Sequence, residues 1–495
     1  MSGQTLLVID EGTTSTRAML FGAEGSCLGV EQRELGQHYP RPGWVEHDPE
    51  QIWSSSLACA RKMVEEAGGA GQIAAIGITN QRETILFWSR ASGRALGPAI
   101  VWQDRRTAEL CSERKARGDE DWVQKRTGLL LDPYFSASKI AWALQHWPAV
   151  AEAGEDLCVG TVESWLVFRL TGGLHISDAS NASRTALMDI GSGRWDPDLL
   201  ALWGVPQSAL PEIVDCAGSF GMTLAGHFGA PVPICGLAGD QQAASIGQAC
   251  LAPGDTKATY GTGAFVLTNT GHEQRLSRNR LLTTIAWQIG GLRSYALEGS
   301  VFVAGSLIKW LRDDLGLLGN AAESERLARS VPDSGGVQII PAFTGLGAPH
   351  WHASARAAIS GLSFATGRAH IVRAALEAMA HQTSDLMACF AADGAQWETL
   401  RIDGGMAAND WLAQDLSDML DLPVERPRSV ETTALGAAML AGIGCGLFDS
   451  LEDAAAMRGA VDLFKPDMHG DTRSARLEGW QAAVRGVLAR SQGRP

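Results

Sequence analysis

Thr5-Leu6-Leu7-Val8-Ile9-Asp10-Glu11-Gly12-Thr13-Thr14-Ser15-Thr16-Arg17 is the stretch from which the fold can be read. Uncharged, mostly aliphatic residues run into Asp10, a pattern expected of a buried strand. Gly12 permits a tight turn. The hydroxyls and backbone N–H groups after it can wrap an anion. An acid at the strand end can hold a metal, and Arg17 adds positive charge. A phosphate-and-magnesium hairpin is one reading. A β-hairpin with a polar turn is the other, and a short motif by itself does not separate them.

Working outward, residues 5–9, 17–21 and 27–34 are expected as strands, separated by turns at 11–16 and 23–25. Asp48 is a good N-cap, Pro49 suits the first helical position, and Gln51 has the capping-box spacing. Trp53, Leu57, Ala60 and Val64 recur at helical spacing up to Gly68 and Gly69. Residues 73–79 are expected as a buried strand. The order β-β-β-α-β recurs in the second half, with strands at 257–268, 281–289 and 292–297, a helix at 301–315 and a strand at 337–341. The repeat predicts an α/β protein of two related domains, residues 1–248 and 249–495, joined through 249–255 and flanking a central cleft. Residues 135–147 are expected as a helix and 181–184 as loop. A buried helix pair is expected over 432–448, and a peripheral, mostly helical segment over 450–490.

A chain of 495 residues exceeds one hydrophobic core, which agrees with two domains. The net charge of −14 argues against a nucleic-acid-binding face. Nine cysteines, scattered without a C-x-x-C, suggest neither a disulfide framework nor a zinc site. No basic leader precedes the short apolar run at the start, so a reduced, cytoplasmic protein is expected. The longest uncharged stretch, 432–448, is too short and too rich in Gly and Ala for a membrane span.

Several constellations could carry chemistry. Ala238-Gly239-Asp240-Gln241-Gln242 follows an apolar strand and precedes the proposed junction. Asp240 there can accept a proton from a hydroxyl substrate or simply cap the next helix. Tyr260-Gly261-Thr262-Gly263 can bring backbone close to phosphate or form a bulged hairpin. Leu400-Arg-Ile-Asp403-Gly404-Gly405-Met-Ala-Ala-Asn409 suits a nucleotide at a strand-to-helix turn, or is an ordinary βα turn. Gln81-Arg82-Glu83-Thr84 can donate to and accept from a polyol, against a solvated surface pair. Trp102 and Tyr134 can wall a small pocket or pack in the core. Neither a Walker sequence nor G-x-G-x-x-G occurs, which removes support from P-loop and Rossmann readings.

Taken together and in this order, the stretches resemble the FGGY family of carbohydrate kinases, and within it the kinases that phosphorylate glycerol. The resemblance runs from about Leu6 to Trp480. It is carried by Asp10-Glu-Gly-Thr-Thr-Ser15, Gly77-Ile-Thr-Asn-Gln-Arg-Glu-Thr84, Trp102-Gln-Asp-Arg-Arg-Thr107, Asp132-Pro-Tyr-Phe-Ser136 and Asn181-Ala-Ser-Arg-Thr185. It continues through Gly239-Asp-Gln-Gln-Ala243, Tyr260-Gly-Thr-Gly263, Pro341-Ala-Phe-Thr-Gly-Leu-Gly-Ala-Pro349 and Asp403-Gly-Gly405. The resemblance implies two ribonuclease H-like domains of the actin and hexokinase type. It further implies ATP-dependent phosphorylation of glycerol to sn-glycerol 3-phosphate with magnesium, in a homodimer or homotetramer. By matching position, Asp240 is the general base. Arg82, Glu83, Tyr134, Asp240 and Gln241 hydrogen-bond glycerol, and Trp102 and Phe265 pack on its carbons. Asp10 lies near magnesium. Thr13, Thr14, Ser15 and Arg17 contact phosphates with Gly261 and Thr262 opposite, while Gly305, Gly405 and Asn409 line the nucleotide.

Other polyol or sugar kinases, and nucleotide-driven binding proteins of the actin type, share much of this pattern. The Arg82-Glu83 and Asp240-Gln241 pairs argue for a polyol acceptor. The chain departs from its family at several positions. Glu11 stands where Gln is usual, and a carboxylate beside the phosphates is expected to repel ATP. Lys309 replaces a common Gln, and His350 and His352 replace Tyr and Asp around Trp351. Residues 226–233 lack the basic loop that binds fructose 1,6-bisphosphate in the enteric enzymes, so weak or absent control by that sugar phosphate is expected. His227 is expected to be a solvated loop residue.

Overall fold

In the structure, a computed structural model describing residues 5–352, 354–429 and 431–491, the opening stretch is a hairpin at the centre of a sheet. β1 (Thr5–Glu11), β2 (Ser15–Phe21) and β3 (Cys27–Glu34) form an antiparallel meander. α1 (Pro49–Glu66) crosses the sheet, and β4 (Ile73–Asn80) pairs parallel to β1. β5 (Ile234–Gly239) then pairs parallel to β4, giving the order β5-β4-β1-β2-β3. α2 (Asp240–Gly247) starts directly where β5 ends.

β1 reads as a continuous apolar run because both its faces are covered. Successive side chains point to opposite faces. Leu7 and Ile9 lie in one core with Ile52, Trp53, Leu57, Ala60, Met63 and Val64 of α1. Leu6 and Val8 lie in another core, with a helix from the far end of the chain. Asp48 caps α1 as expected, its side chain accepting from the Glu50 N–H. The capping box does not close, because the Gln51 amide oxygen accepts from the Gly36 N–H instead.

The second half repeats this sheet. β6 (Thr256–Tyr260) and β7 (Ala264–Gly271) form a hairpin where one strand over 257–268 was expected. The glycines at 261 and 263 turn the chain between them. β8 (Leu282–Ile289) and β9 (Leu292–Val301) follow, with β9 against β7. α3 (Arg368–Ala392) precedes β10 (Leu400–Asp403), which runs parallel to β6, and β11 (Val424–Pro427) pairs parallel to β10. The order β11-β10-β6-β7-β9 thus reproduces β5-β4-β1-β2-β3, with the same parallel and antiparallel pairings. The strand near 337–341 is not part of it. Gln338–Ile340 pairs only with Ala358–Ser360 in a separate two-stranded sheet, and the repeat's last strand is β10. The expected helix over 301–315 is shortened to Gly305–Asp313, because β9 continues to Val301.

α4 (Thr432–Gly444), which follows β11, packs on the first sheet, sharing a core with Leu6, Val8, Phe21 and Ala75. The uncharged stretch is therefore one helix, and its helical partner is α2. The two approach so closely that a methyl group on Gly247 would overlap the Thr432 carbonyl, and one on Gly436 the Ala243 carbonyl. Leu267, Ala286 and Ala296 of the second sheet join the same core. The seam between the units is thus a packed core.

β12 (Val461–Phe464) extends the second sheet beside β11, so the C-terminal segment is structural as well as peripheral. The helix Gly470–Ser491 buries Trp480, which donates to Asp385 at 2.7 Å. No helix among the described residues is long and apolar enough to cross a membrane.

Candidate active site

The two hairpins lie at the seam. In the first, Asp10 and Arg17 face each other across the β1–β2 ladder and form an ion pair. Arg17 also reaches across the seam to Glu431, beside the start of α4, at 2.6 Å. The Gly12 N–H donates to the Ser15 carbonyl at 3.0 Å, closing the turn, and Thr14 is exposed at its tip. Thr13 Oγ1 accepts from Trp102 Nε1 at 2.9 Å.

Glu11 does not face the turn at Gly12, where a carboxylate beside bound phosphate was expected. It has the same parity on β1 as Leu7 and Ile9, so its side chain points under the sheet toward α1. There it is fully buried, and Ser56 Oγ donates to its Oε2 at 2.6 Å. Burial pushes its carboxyl up to about 8, against the hydrogen bonds from Ser56 and Thr16.

In the second hairpin, the Gly305 N–H donates to the Gly261 carbonyl at 2.9 Å, and the Ala304 and Ser306 N–H groups donate to the Thr262 carbonyl. Thr262 is exposed. Gly305 opens its helix so close to this turn that a Cβ would meet the Gly261 carbonyl and the Met406 side chain. Gly405 is exposed in the turn after β10. Asn409 caps the helix Asp410–Leu420, accepting from the Leu412 N–H and donating to Ser324, so its side chain is committed within the fold.

Between the hairpins Arg82, Glu83, Tyr134 and Asp240 converge. Arg82 Nε lies 3.3 Å from Asp240 Oδ1 and 3.9 Å from Glu83 Oε1. Arg82 Nη2 donates to the Tyr134 hydroxyl at 3.4 Å. Trp102 packs edge-on against Tyr134 and Phe265, with ring centroids 5.6 and 6.3 Å apart. Phe265 is the second residue of β7, so the aromatic wall draws on both halves of the chain. Glu83 sits at φ 61°, a left-handed conformation that costs a non-glycine residue energy and recurs at functional sites. Gln241 turns its amide oxygen to Lys257 Nζ, 2.5 Å away.

Asp240 opens α2 with its Oδ1 accepting from the Gln241 N–H at 2.7 Å. Among the described residues only its Oδ1 accepts a hydrogen bond, which leaves Oδ2 open, and a third of the side chain is exposed. Burial raises its proton affinity, partly offset by Arg82 and Lys257. Asp10 is near enough to raise it further. Among the described residues no three acidic, histidine or cysteine side chains form a cage for a metal. One or two carboxylates at a phosphate site nevertheless suit magnesium, which keeps water and phosphate ligands.

Sequence reasoning assigned no role to four charged residues here. Glu298 and Arg184 are fully buried and paired with Arg82 and Glu83; Lys257 is also fully buried, and Glu431 crosses the seam. Of residues 181–184, expected as loop, Asn181 and Ala182 close the short helix Ala179–Ala182, and Ser183 and Arg184 form the buried turn after it. The one available signal was a lone acid or base within an apolar strand: Glu298 in Tyr-Ala-Leu-Glu-Gly-Ser-Val, Lys257 in β6.

The remaining departures lie elsewhere in the contact map. Lys309 is exposed on its helix. His350 lies 3.9 Å from Asp385, and His352 meets Ser354 and Ser491. His227 is half-buried rather than a freely solvated loop residue; it lies in the short helix Ala225–Phe228, and its ring packs edge-on against Trp53 at 5.2 Å.

The N-terminal domain profile of the FGGY family of carbohydrate kinases matches residues 5–247, and the C-terminal domain profile matches 256–445. The chain is 55% identical to a glycerol kinase of Rhodospirillum centenum over 97% of each chain. It is 54% identical to one of Gluconobacter oxydans over 98% of this chain and 96% of that one. A solved glycerol kinase of Plasmodium falciparum with ADP superposes with a TM-score of 0.93 at 36% identity, over 98% of this chain and 99% of that one. A xylulose kinase structure from Rhodospirillum rubrum shares the fold at 24% identity, with a TM-score of 0.87 over 99% of this chain and 100% of that one. The duplicated sheets, the paired hairpins and these matches agree: the chain belongs to the FGGY family of carbohydrate kinases.

Proposed function

We propose that the protein transfers a phosphoryl group from ATP to glycerol, giving sn-glycerol 3-phosphate. The observation that carries this reading is the small acceptor site where Arg82, Glu83, Tyr134 and Asp240 meet beneath Trp102 and Phe265. Relatives more than half identical over nearly their whole length bear the name glycerol kinase. An aromatic wall suits a carbon chain, and charged or amide groups suit its hydroxyls.

In this reading Arg82, Glu83, Tyr134 and the Gln241 amide hold glycerol, while Trp102 and Phe265 pack on its carbons. The acceptor hydroxyl attacks the γ-phosphorus, its proton passes to Asp240 Oδ2, and the bond to the ADP oxygen breaks. The raised proton affinity of Asp240 suits a base working near neutral pH. Thr13, Thr14, Ser15 and Arg17 take the phosphates from one side, Gly261 and Thr262 from the other. The turns at Gly305, Gly405 and Asn409 line the nucleoside. Asp10 would hold magnesium, which when bound offsets the charge of the phosphates. Residues 1–248 thus present glycerol and the base, and residues 249–495 the nucleotide. The free cysteines support a cytoplasmic setting, and we extend the family's homodimer or homotetramer to this chain.

The direct test is ADP release measured with and without glycerol, alongside erythritol and ketopentoses. Strong release that requires glycerol is expected. Release indifferent to any polyol would sink the reading in favour of an actin-like nucleotide hydrolase.

A further inference from the structure

We infer that Glu298, on β9 of the second unit, is a positioning residue for the acceptor site. It holds Arg82 in place from below and keeps its guanidinium from closing onto Asp240. The inference rests on the glycerol-site reading above.

Glu298 is fully buried, one acid in the apolar strand β9. Burying a carboxylate is costly unless it is paired and hydrogen-bonded. Here the pairing is unusually complete. Arg82 grips it with a fork, Nη1 to Oε2 at 2.6 Å and Nη2 to Oε1 at 3.2 Å. Arg184 Nη2 donates to the same Oε1 at 3.0 Å, while its Nε donates to Glu83 Oε1 at 2.6 Å. Two guanidiniums and two carboxylates therefore alternate in one buried square, with Glu298 the only corner supplied by the second unit.

The fork uses the two outer nitrogens of Arg82, so only its Nε edge is turned to Asp240, at 3.3 Å to Oδ1. Gln242 Oε1 accepts from Arg82 Nη1 and the Tyr134 hydroxyl from Nη2, which holds the guanidinium plane. Without the Glu298 charge, Arg82 and Arg184 would share Glu83 alone, and the nearest unforked carboxylate is Asp240. A bidentate pair there would occupy the free Oδ2 and stabilise the ionised form. Both outcomes weaken a base. The charged groups facing Asp240 are Arg82, Lys257 and Asp10, and those facing Glu298 are Arg82, Arg184, Lys257 and Glu83. Arg82 is the charge common to both that contacts each of them directly. The same strand ends at Val301, just before the nucleotide turn at Gly305, so the polyol grip and the nucleotide turn share one element.

The test compares Glu298→Gln with the wild type by calorimetric glycerol and ADP binding and by the pH profile of kcat. We expect glycerol Kd to rise roughly ten- to hundredfold, ADP Kd to stay unchanged, and the acid limb of kcat to move to lower pH. Glu298→Asp, which keeps the charge but retracts it, should give a smaller loss and serves if the glutamine variant does not fold. A lower melting temperature with unchanged glycerol Kd and unchanged acid limb would overturn the inference, leaving Glu298 merely structural. Arg82→Lys separates the two levels. Lost glycerol affinity there, with none lost in Glu298→Gln, removes the role of Glu298 and leaves the acceptor site standing. Intact glycerol affinity in Arg82→Lys removes the acceptor-site reading and this inference together.

Discussion

The two hairpins occupy the same place in two copies of one sheet, and they carry different chemistry on one face and matching structure on the other. In strand register Glu11 lies opposite Thr16, and Tyr260 lies opposite Ala264. Both Glu11 and Tyr260 point under their sheet and bond to a hydroxyl on the covering helix. Glu11 meets Ser56 of α1 at 2.6 Å, and Tyr260 meets Thr383 of α3 at 2.7 Å. One residue earlier the side chains turn to the seam, where the first hairpin offers Asp10 and Arg17 and the second offers Thr259 and Phe265. Duplication preserved the anchoring residue as a position, not as a residue type. The functional asymmetry is confined to the seam-facing parity, an acid and a cation against an aromatic wall.

The largest break in that comparison comes from Asp240, the acid that opens α2. Asp240→Asn should lower kcat by roughly 10²–10⁴-fold in a folded protein, the range for losing a general base; coupled ADP assays and a melting curve check both halves of the statement. Next come the two seam faces. Arg17→Met should raise the KM for ATP roughly ten- to hundredfold with the glycerol KM little changed. Phe265→Ala should do the reverse, raising the glycerol KM by roughly tenfold. Equal effects of both variants on both substrates would dissolve the asymmetry.

The inward positions give smaller effects, on stability alone. Glu11→Gln should leave ATP affinity unaltered, since the carboxyl faces α1. Its folded-state value, about 8, stands above the 4.5 of an exposed glutamate. The native chain therefore keeps a proton that the unfolded chain releases. That contribution is fully present below the unfolded value and is lost as pH climbs through the folded one. Replacing Glu11 should accordingly flatten the fall in melting temperature between mildly acidic and mildly alkaline pH, and raise stability on the order of 1–3 kcal/mol at the alkaline end. Weakened or strengthened ATP binding in this variant would return Glu11 to the phosphate site. Tyr260→Phe removes one buried hydrogen bond, and Thr383 still donates to the Met379 carbonyl. A destabilisation of about 1 kcal/mol, read by denaturant unfolding, is the expected size.

Legibility in the sequence followed the range of the interactions. β1 to β4 were readable because period and turn residues are local, and Asp48 and Pro49 marked α1 correctly. The second copy was readable as a pattern but misassigned in detail. Residues 337–341 are strand-like, yet β10 takes the place beside β6, because parallel pairing is decided by partners far apart in the chain. Arg184 looked like loop material because nothing near it in sequence tells that Glu83 and Glu298 will surround it.

By itself the sequence determined the two α/β units, the apolar centre strands, the paired turns, and the residue types able to bind a polyol and phosphates. These rest on alternation, turn chemistry and composition, all of which act over a few residues. Only the tertiary structure decided which way Glu11 points, that α4 closes the seam against α2, and that Glu298 lies under Arg82. Those outcomes depend on strand parity meeting a particular helix and on charges buried together across two units, where the cost of an unpaired carboxylate selects the partner.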